Sequence, residues 1–283
     1  MNGRYARAAE AAIHIEDRGY QFADGVYEVV AVVNGILVDE KPHMARLERS
    51  LNELAIGWPI APRALRHVIS EVVRRNRIDA GMVYIQITRG VAPRDHGFPS
   101  QVGPALVVTA RRLAPQKTEL AERGVSVVTI PDIRWRRCDI KSVSLLPNVL
   151  GKQQAKNAGA YEAWQVDGNG VVTEGTSTNA WIVDTDGAIV THPADHAILG
   201  GITREAVLEI ARAAGMKVIE RPFTAADVLA AREAFLTSTT AAVLPVVSID
   251  GHAIGNGHPG LTTTELRRRY LAAIGRAVGR SGA

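Results

Sequence analysis

Apolar positions recur along this chain at two periods, and these mark out strands and helices. Over 26–38, β-branched residues flank Asn34-Gly35, which reads as a hairpin closed by an Asn-Gly turn. Met44, Leu47, Leu51 and Leu54 fall at helical spacing with charges between them, so 43–55 reads as a helix. A second helix begins near Pro62 and runs over 62–76. Strands are predicted over 82–88 and 105–109. The 90–104 stretch between them holds Pro93, Gly97, Pro99, Gly103 and Pro104, and reads as a loop. Such a loop on a rigid scaffold often carries binding groups.

Residues 111–124 mix charge with Pro115 and Gly124, and a domain junction is expected there. The division is a small N-terminal α/β domain, 1–115, and a larger domain, 116–283. In the second domain, strands are predicted at 125–130, 161–166, 179–184, 188–191 and 233–237. Helices are predicted at 145–158, 203–215, 224–231 and 262–278. The two signals alternate without strict βαβ spacing, which favours an α+β fold with mixed or antiparallel sheets over a doubly wound parallel one. No internal repeat or low-complexity segment is visible.

Composition narrows the function classes. The chain has 283 residues, of which 46% are hydrophobic and 22% charged, enough for a full core and close to the globular average. The net charge of +4 is small and scattered. The densest basic cluster, Arg267-Arg268-Arg269, is expected on the solvated face of a C-terminal helix, so nucleic acid is not an expected partner. Cys138 is the single cysteine, and no Cys/His cluster has metal-ligand spacing, so no metal is expected and a reducing cytoplasm is. The N-terminus lacks a signal-like apolar stretch. No apolar run approaches the roughly 20 residues that span a bilayer, so a membrane is not an expected partner.

Four segments carry chemistry. Lys141 lies in Arg134-Trp135-Arg136-Arg137-Cys138-Asp139-Ile140-Lys141-Ser142. A lone lysine is usually an exposed loop residue. Buried beside cations such as Arg134, Arg136 and Arg137, it would become a usable nucleophile. Glu174 ends a strand-like Val171-Val172-Thr173 and reads as a turn carboxylate or as a partner for a protonated ring nitrogen. Gly200-Gly201-Ile202-Thr203 opens an apolar-periodic helix, which is an N-cap or an anion site. Thr237-Ser238-Thr239-Thr240 follows a strand, as a solvated turn or as phosphate-binding hydroxyls. An amine, a carboxylate and two hydroxyl-rich loops are the parts needed to hold pyridoxal 5′-phosphate (PLP).

With these segments in this order, the chain resembles the fold-type IV PLP enzymes, and within them the D-amino acid aminotransferase family. Further matches are Glu16-Asp17-Arg18-Gly19-Tyr20-Gln21-Phe22-Ala23-Asp24-Gly25-Val26-Tyr27-Glu28, His43-Met44-Ala45-Arg46-Leu47 and Thr88-Arg89-Gly90. The resemblance implies two α/β domains with PLP at their interface, and a homodimer. It implies that Lys141 carries the cofactor as a Schiff base and then shuttles the substrate proton. Glu174 would pair with the pyridine nitrogen. Arg46, Ile202, Thr203 and Thr239 would hold the phosphate, with Ser177 and Ser238 as second-line contacts, and Leu199 would pack on the ring. Cys138 is given no catalytic role.

The subclass rests on fewer residues. Arg94-Asp95-His96 matches an Arg-x-His loop that, in the resembled family, reaches across the dimer and traps the substrate carboxylate together with Tyr27. A guanidinium suits bidentate carboxylate binding. The implied reaction is ping-pong transamination of D-amino acids such as D-alanine or D-glutamate with 2-oxo acids. The rivals are a branched-chain or (R)-amine transaminase or an aminodeoxychorismate lyase of the same fold, and a PLP-binding carrier that never exchanges the amine. One departure is local: related chains reach an Asn-Gly turn after a full first strand, whereas Asn2-Gly3 comes almost at once, so either the first strand is truncated or the start assigned to the chain is late.

Overall fold

The computed structural model describes residues 1–113 and 118–281. By its contacts the chain forms two compact units, Met1–Ala114 with Ile140–Ser144, and Pro115–Asp139 with Leu145–Ala283. The predicted boundary after residue 115 lies outside the described residues. The expectation placed everything beyond it in the second domain; Ile140–Ser144 instead clusters with the first unit.

The first unit contains α1 (Arg18–Phe22), β1 (Gly25–Val33), β2 (Ile36–Leu37), α2 (Glu40–Glu53), α3 (Pro62–Arg75), β3 (Gly81–Thr88) and β4 (Ala105–Arg112). Its sheet has the order β2-β1-β3-β4, antiparallel throughout. Asn34 (φ 51°) and Gly35 (φ 73°) both lie in the left-handed region that the two-residue hairpin turn requires. Along β1, Val26, Glu28, Val30 and Val32 are buried on one face. Against that side α2 buries His43, Met44, Leu47, Ser50 and Leu51, and α3 buries Leu65, Ile69, Val72 and Val73. Each fully buried leucine or isoleucine contributes about 1.5–3 kcal/mol. Pro62 starts α3, where its missing N–H costs nothing. Asn2 donates its N–H to Leu106 O (2.9 Å) and accepts from Leu106 N–H (2.7 Å), so the Asn2-Gly3 turn is docked on β4.

The second unit adds α4 (Thr118–Arg123), β5 (Val125–Pro131), α5 (Leu146–Asn157), β6 (Glu162–Val166), β7 (Val172–Gly175), β8 (Asn179–Val183), β9 (Ile189–Thr191) and α6 (Ile202–Ala213). It continues with β10 (Val218–Glu220), α7 (Ala225–Ala230), β11 (Glu233–Ser238), β12 (Ala242–Ile249), β13 (His252–Ala253) and α8 (Leu261–Ser281). The sheet runs β10-β9-β8-β11-β12-β5-β6-β7, with β13 on β12. β9/β10, β12/β5 and β5/β6 are parallel and the rest antiparallel. The fold is therefore α+β with a mixed sheet.

Sequence reading did not anticipate β12, although it is interior. Pro245 argues against a central strand; here it lies just before Val246, where pairing with β5 begins. Nor did it anticipate α1, α4, β10 and β13, all short. The solvated-face expectation for the arginine triplet fails at Arg267. Its Nη1 donates to Ala241 O (3.2 Å) and Val243 O (2.7 Å), and only Arg268 and Arg269 pair outward with Glu265.

Candidate active site

In the first unit, Lys141 is fixed by its backbone. Tyr27 N–H donates to Lys141 O (2.9 Å), Val143 N–H to Gly25 O (3.0 Å), and Lys141 N–H to Ser50 Oγ (3.3 Å). The 140–144 segment thus docks on the start of β1, with a bridge between Val26 and Ser142. Lys141 Nζ lies 4.3 Å from the centre of the Tyr27 ring, and that ring stacks on Tyr84 at 5.6 Å. Burial pushes the Tyr84 phenol up to about 12.

Strand alternation sends Glu28, next to Tyr27, to the opposite, buried face. Its carboxylate is fully buried and is gripped by Arg46 (Nε–Oε1 2.7 Å, Nη2–Oε2 2.9 Å) and His43 Nδ1 (2.8 Å). His43 and Arg46 are three residues apart on α2 and so share a face. Burial opposes the charge of Glu28, but Arg46 and then His43 outweigh it and hold the carboxyl at about 2. Burial keeps His43 below its ordinary 6.5, aided by the cations Arg46 and Lys141 and opposed by Glu28.

Arg94 and His96 are exposed, yet both lie on one ring. The Arg94 guanidinium carbon is 4.7 Å from the centre of Phe22, and the His96 ring centre is at 5.4 Å. Among the described residues no carboxylate pairs with Arg94.

In the second unit, Glu174 at the end of β7 is 6% exposed. One oxygen accepts from Arg134 Nη1, and the other from Asn179 Nδ2 (3.0 Å) and Leu199 N–H (3.1 Å). Arg134 also grips Asp132 (2.7 and 2.9 Å), Thr173 Oγ1 (3.1 Å) and Ala197 O (3.0 Å). Burial disfavours its charge, but Asp132 and Glu174 prevail and raise its pKa above the ordinary value. Arg137 is likewise held by Asp139 (3.0 Å). Arg134 and Arg137 are thus each paired with carboxylates of their own unit.

Asn179 also donates to Leu199 O (2.9 Å), tying Glu174 to the segment that leads into α6. At Gly201 a Cβ would meet Asn179 Oδ1 at 2.1 Å, so any larger residue there must displace the Asn179 side chain. Gly201 is the N-cap of α6 and no side chain caps it. Ile202 and Thr203 therefore present N–H groups that the helix leaves unpaired. Thr203 Oγ1 is 3.4 Å from Tyr270 Oη. Ser238 Oγ accepts from Ala241 N–H (3.1 Å), and Thr239 and Leu199 are half-buried. Ser177 is exposed, and its hydroxyl donates to Glu162 (3.0 Å). Among the described residues, no group of three or more His, Cys, Asp or Glu side chains is placed to hold a metal.

The family description Amino-transferase class IV matches residues 25–249. A D-alanine aminotransferase of Bacillus licheniformis is 45% identical over 97% of this chain and 96% of its own length. The chain belongs to the class IV aminotransferases. Among solved structures, a T.th. branched-chain amino acid aminotransferase with pyridoxamine 5′-phosphate superposes with a TM-score of 0.88 at 28% identity, covering 97% of this chain and 92% of that one. The Escherichia coli branched-chain enzyme gives a TM-score of 0.89 at 23% identity over 96% and 92%, a likeness of fold alone.

Within this class IV aminotransferase, Tyr27, Arg46, Arg94, His96 and Lys141 belong to the first unit, and Glu174, Ser177, Leu199, Ile202, Thr203, Ser238 and Thr239 to the second. Sequence reasoning missed the residues that grip these: Glu28, His43, Arg134's clasp on Glu174, Asn179 and Glu162. Glu162 is fully buried and receives the hydroxyls of Thr176 (2.5 Å) and Ser177 (3.0 Å). The available signal was a charged residue inside an apolar run, as in Val26-Tyr27-Glu28-Val29-Val30.

Proposed function

We propose that this class IV aminotransferase binds PLP and moves the amino group of a D-amino acid to a 2-oxo acid by a ping-pong cycle. The residues fit the cofactor by their chemistry. A buried carboxylate, held through one oxygen by Arg134 and through the other by Asn179 and Leu199 N–H, suits a protonated pyridine nitrogen. An uncapped helix start suits a phosphate through its N–H groups and dipole. Ile202 and Thr203 supply those N–H groups, Thr239 a hydroxyl and Arg46 a guanidinium oriented by Glu28. Ser177 and Ser238 support them, and Leu199 covers the ring. Lys141 supplies the amine that holds the cofactor's aldehyde carbon.

When bound, PLP supplies an electron sink for the charge that develops at the substrate α-carbon. The remaining work belongs to the chain. Lys141 Nζ takes and returns the α-proton. Glu174 holds the proton on the ring nitrogen. Arg94 and His96, with Tyr27, hold the substrate carboxylate, and so decide which α-hydrogen faces Lys141. We propose that this trap is completed in a homodimer, and that the enzyme works in the cytoplasm, in keeping with its single, buried, free Cys138.

The observation that carries the reading is the link from Glu174 through Asn179 and Leu199 to the uncapped start of α6. The D-amino acid choice is supported by Arg94, which no carboxylate pairs among the described residues, and by the 45% identity with a D-alanine aminotransferase. The second reading, a branched-chain aminotransferase, is favoured by the T.th. structure at 28% identity. The visible absorption of the PLP-loaded protein distinguishes them. D-alanine alone is expected to abolish the band of the bound cofactor, and Lys141→Ala to abolish turnover. A response to L-leucine alone moves the enzyme to the branched-chain class. The absence of a bound-cofactor band removes Lys141 from its role.

A further inference from the structure

We propose that Arg18 is a positioning residue for substrate carboxylate recognition, because it fixes the backbone that carries Arg94 and His96. The proposal rests on reading those two residues as the carboxylate trap. Arg18 is the one buried residue of α1, 3% exposed, although α1 is a five-residue helix at the surface. Its guanidinium reaches the 93–99 loop. Nη1 donates to Asp95 O at 2.6 Å and Nη2 to His96 O at 3.3 Å. Between residues 93 and 99, these are the two hydrogen bonds that leave the loop, among the described residues. The other bond in that stretch, Gly97 N–H to Asp95 Oδ1 (3.0 Å), is internal to it.

The anchor is itself anchored. Arg18 Nε donates to Asp24 Oδ2 at 2.8 Å, and the same carboxylate is held by Arg89 at 2.8 and 3.0 Å. Burial opposes the charge of Asp24, but Arg89 and then Arg18 hold its pKa below the ordinary value. Arg89 also donates to Leu54 O (2.7 Å) and Ala55 O (3.0 Å), which ties this knot to the end of α2. One turn beyond Arg18, Phe22 offers the ring against which Arg94 and His96 lie. The Arg18 guanidinium is 4.9 Å from the same ring. α1 therefore supplies both the donor for the loop's carbonyls and the surface for the Arg94 and His96 side chains, while Phe98 lies against Arg89 (3.6 Å). A planar fork with five N–H donors can span one carboxylate and two successive carbonyls; a lysine, as a point donor, cannot.

The test compares Arg18→Lys, Arg18→Met and Arg94→Ala as PLP-loaded enzymes, with D-alanine and 2-oxoglutarate. Arg18→Lys preserves the charge beside Asp24 and guards against a variant that fails to fold. Both Arg18 variants are expected to raise KM for D-alanine by about tenfold to 10²-fold, the scale of a roughly 1 Å misplacement. kcat is expected to change far less, which marks lost binding rather than lost chemistry. Hydrogen exchange is expected to quicken at amides 91–98 while β1 and β3 keep their protection, and the bound-cofactor spectrum to stay unchanged. If Arg94→Ala raises KM and the Arg18 variants do not, Arg18 is not a positioning residue. The same follows if KM, kcat and β1 protection move together, which marks a merely structural role. If Arg94→Ala leaves KM unchanged, the trap itself falls, and this proposal with it.

Discussion

Glu28→Gln probes the most deeply buried charge in the first unit. Glu28 is fully buried, and its carboxylate receives two bonds from Arg46 and one contact from His43. Its carboxyl is held at about 2 rather than 4.5. At about 1.4 kcal/mol per pKa unit, that depression corresponds to about 3 kcal/mol of stability at neutral pH. The loss expected when one member of a buried ion pair is removed, about 3–5 kcal/mol, agrees in scale. The glutamine retains one acceptor but turns an NH2 donor toward other donors, so little of the interaction survives. Two units need not unfold together, so a single denaturation midpoint is a poor measure. Native-state hydrogen exchange at β1 and β3 amides reports on this unit alone. Protection there is expected to fall by about two powers of ten, the equivalent of about 3 kcal/mol. The PLP affinity is expected to fall as well, because Arg46 loses its orientation. A fall in protection of less than about fivefold, roughly 1 kcal/mol, would refute the reasoning.

Two further outcomes are expected. Both Glu28 and His43 have lowered pKa values in the folded chain, so the unfolded chain binds more protons and stability falls with acidification. The His43 share is lost as pH drops below its ordinary 6.5, and the Glu28 share between 4.5 and about 2. His43→Gln should flatten the decline in β1 protection between about pH 7 and pH 5, and an unchanged slope contradicts the assignment. Gly201→Ala drives a Cβ to 2.1 Å from Asn179 Oδ1. Displacement of Asn179 is expected to cost about 1–3 kcal/mol and to weaken PLP binding with it; normal PLP affinity, read by fluorescence titration, counts against the link between Asn179, Glu174 and the start of α6.

The local elements were legible because their signals are local. The Asn34-Gly35 turn carries its own backbone demand, and α2 and α3 show their buried stripes in the spacing of Met44, Leu47, Leu51 and of Leu65, Ile69, Val72. The candidate chemistry was legible for a different reason: Lys141, Glu174, Gly201 and Thr239 stand in an order that resembles a known family. β12 was not legible, because Pro245 speaks against an interior strand, and only pairing with β11 and β5 supports it. Arg267 was misplaced because charge alone does not reveal that the carbonyls of Ala241 and Val243 need a donor.

The sequence by itself determined the periodic elements, the mixed α+β class and the residue types available for chemistry. Tertiary structure alone decided what each charged group faces. Glu28 faces Arg46 and His43 from another element, Glu174 is gripped by residues 40, 5 and 25 positions away, and Arg18 reaches carbonyls 77 and 78 positions on. The reason is physical. Helix and strand periods follow from backbone geometry over a few residues, whereas the state of a buried charge depends on its neighbours in space. Those neighbours are brought together only when the chain closes on itself.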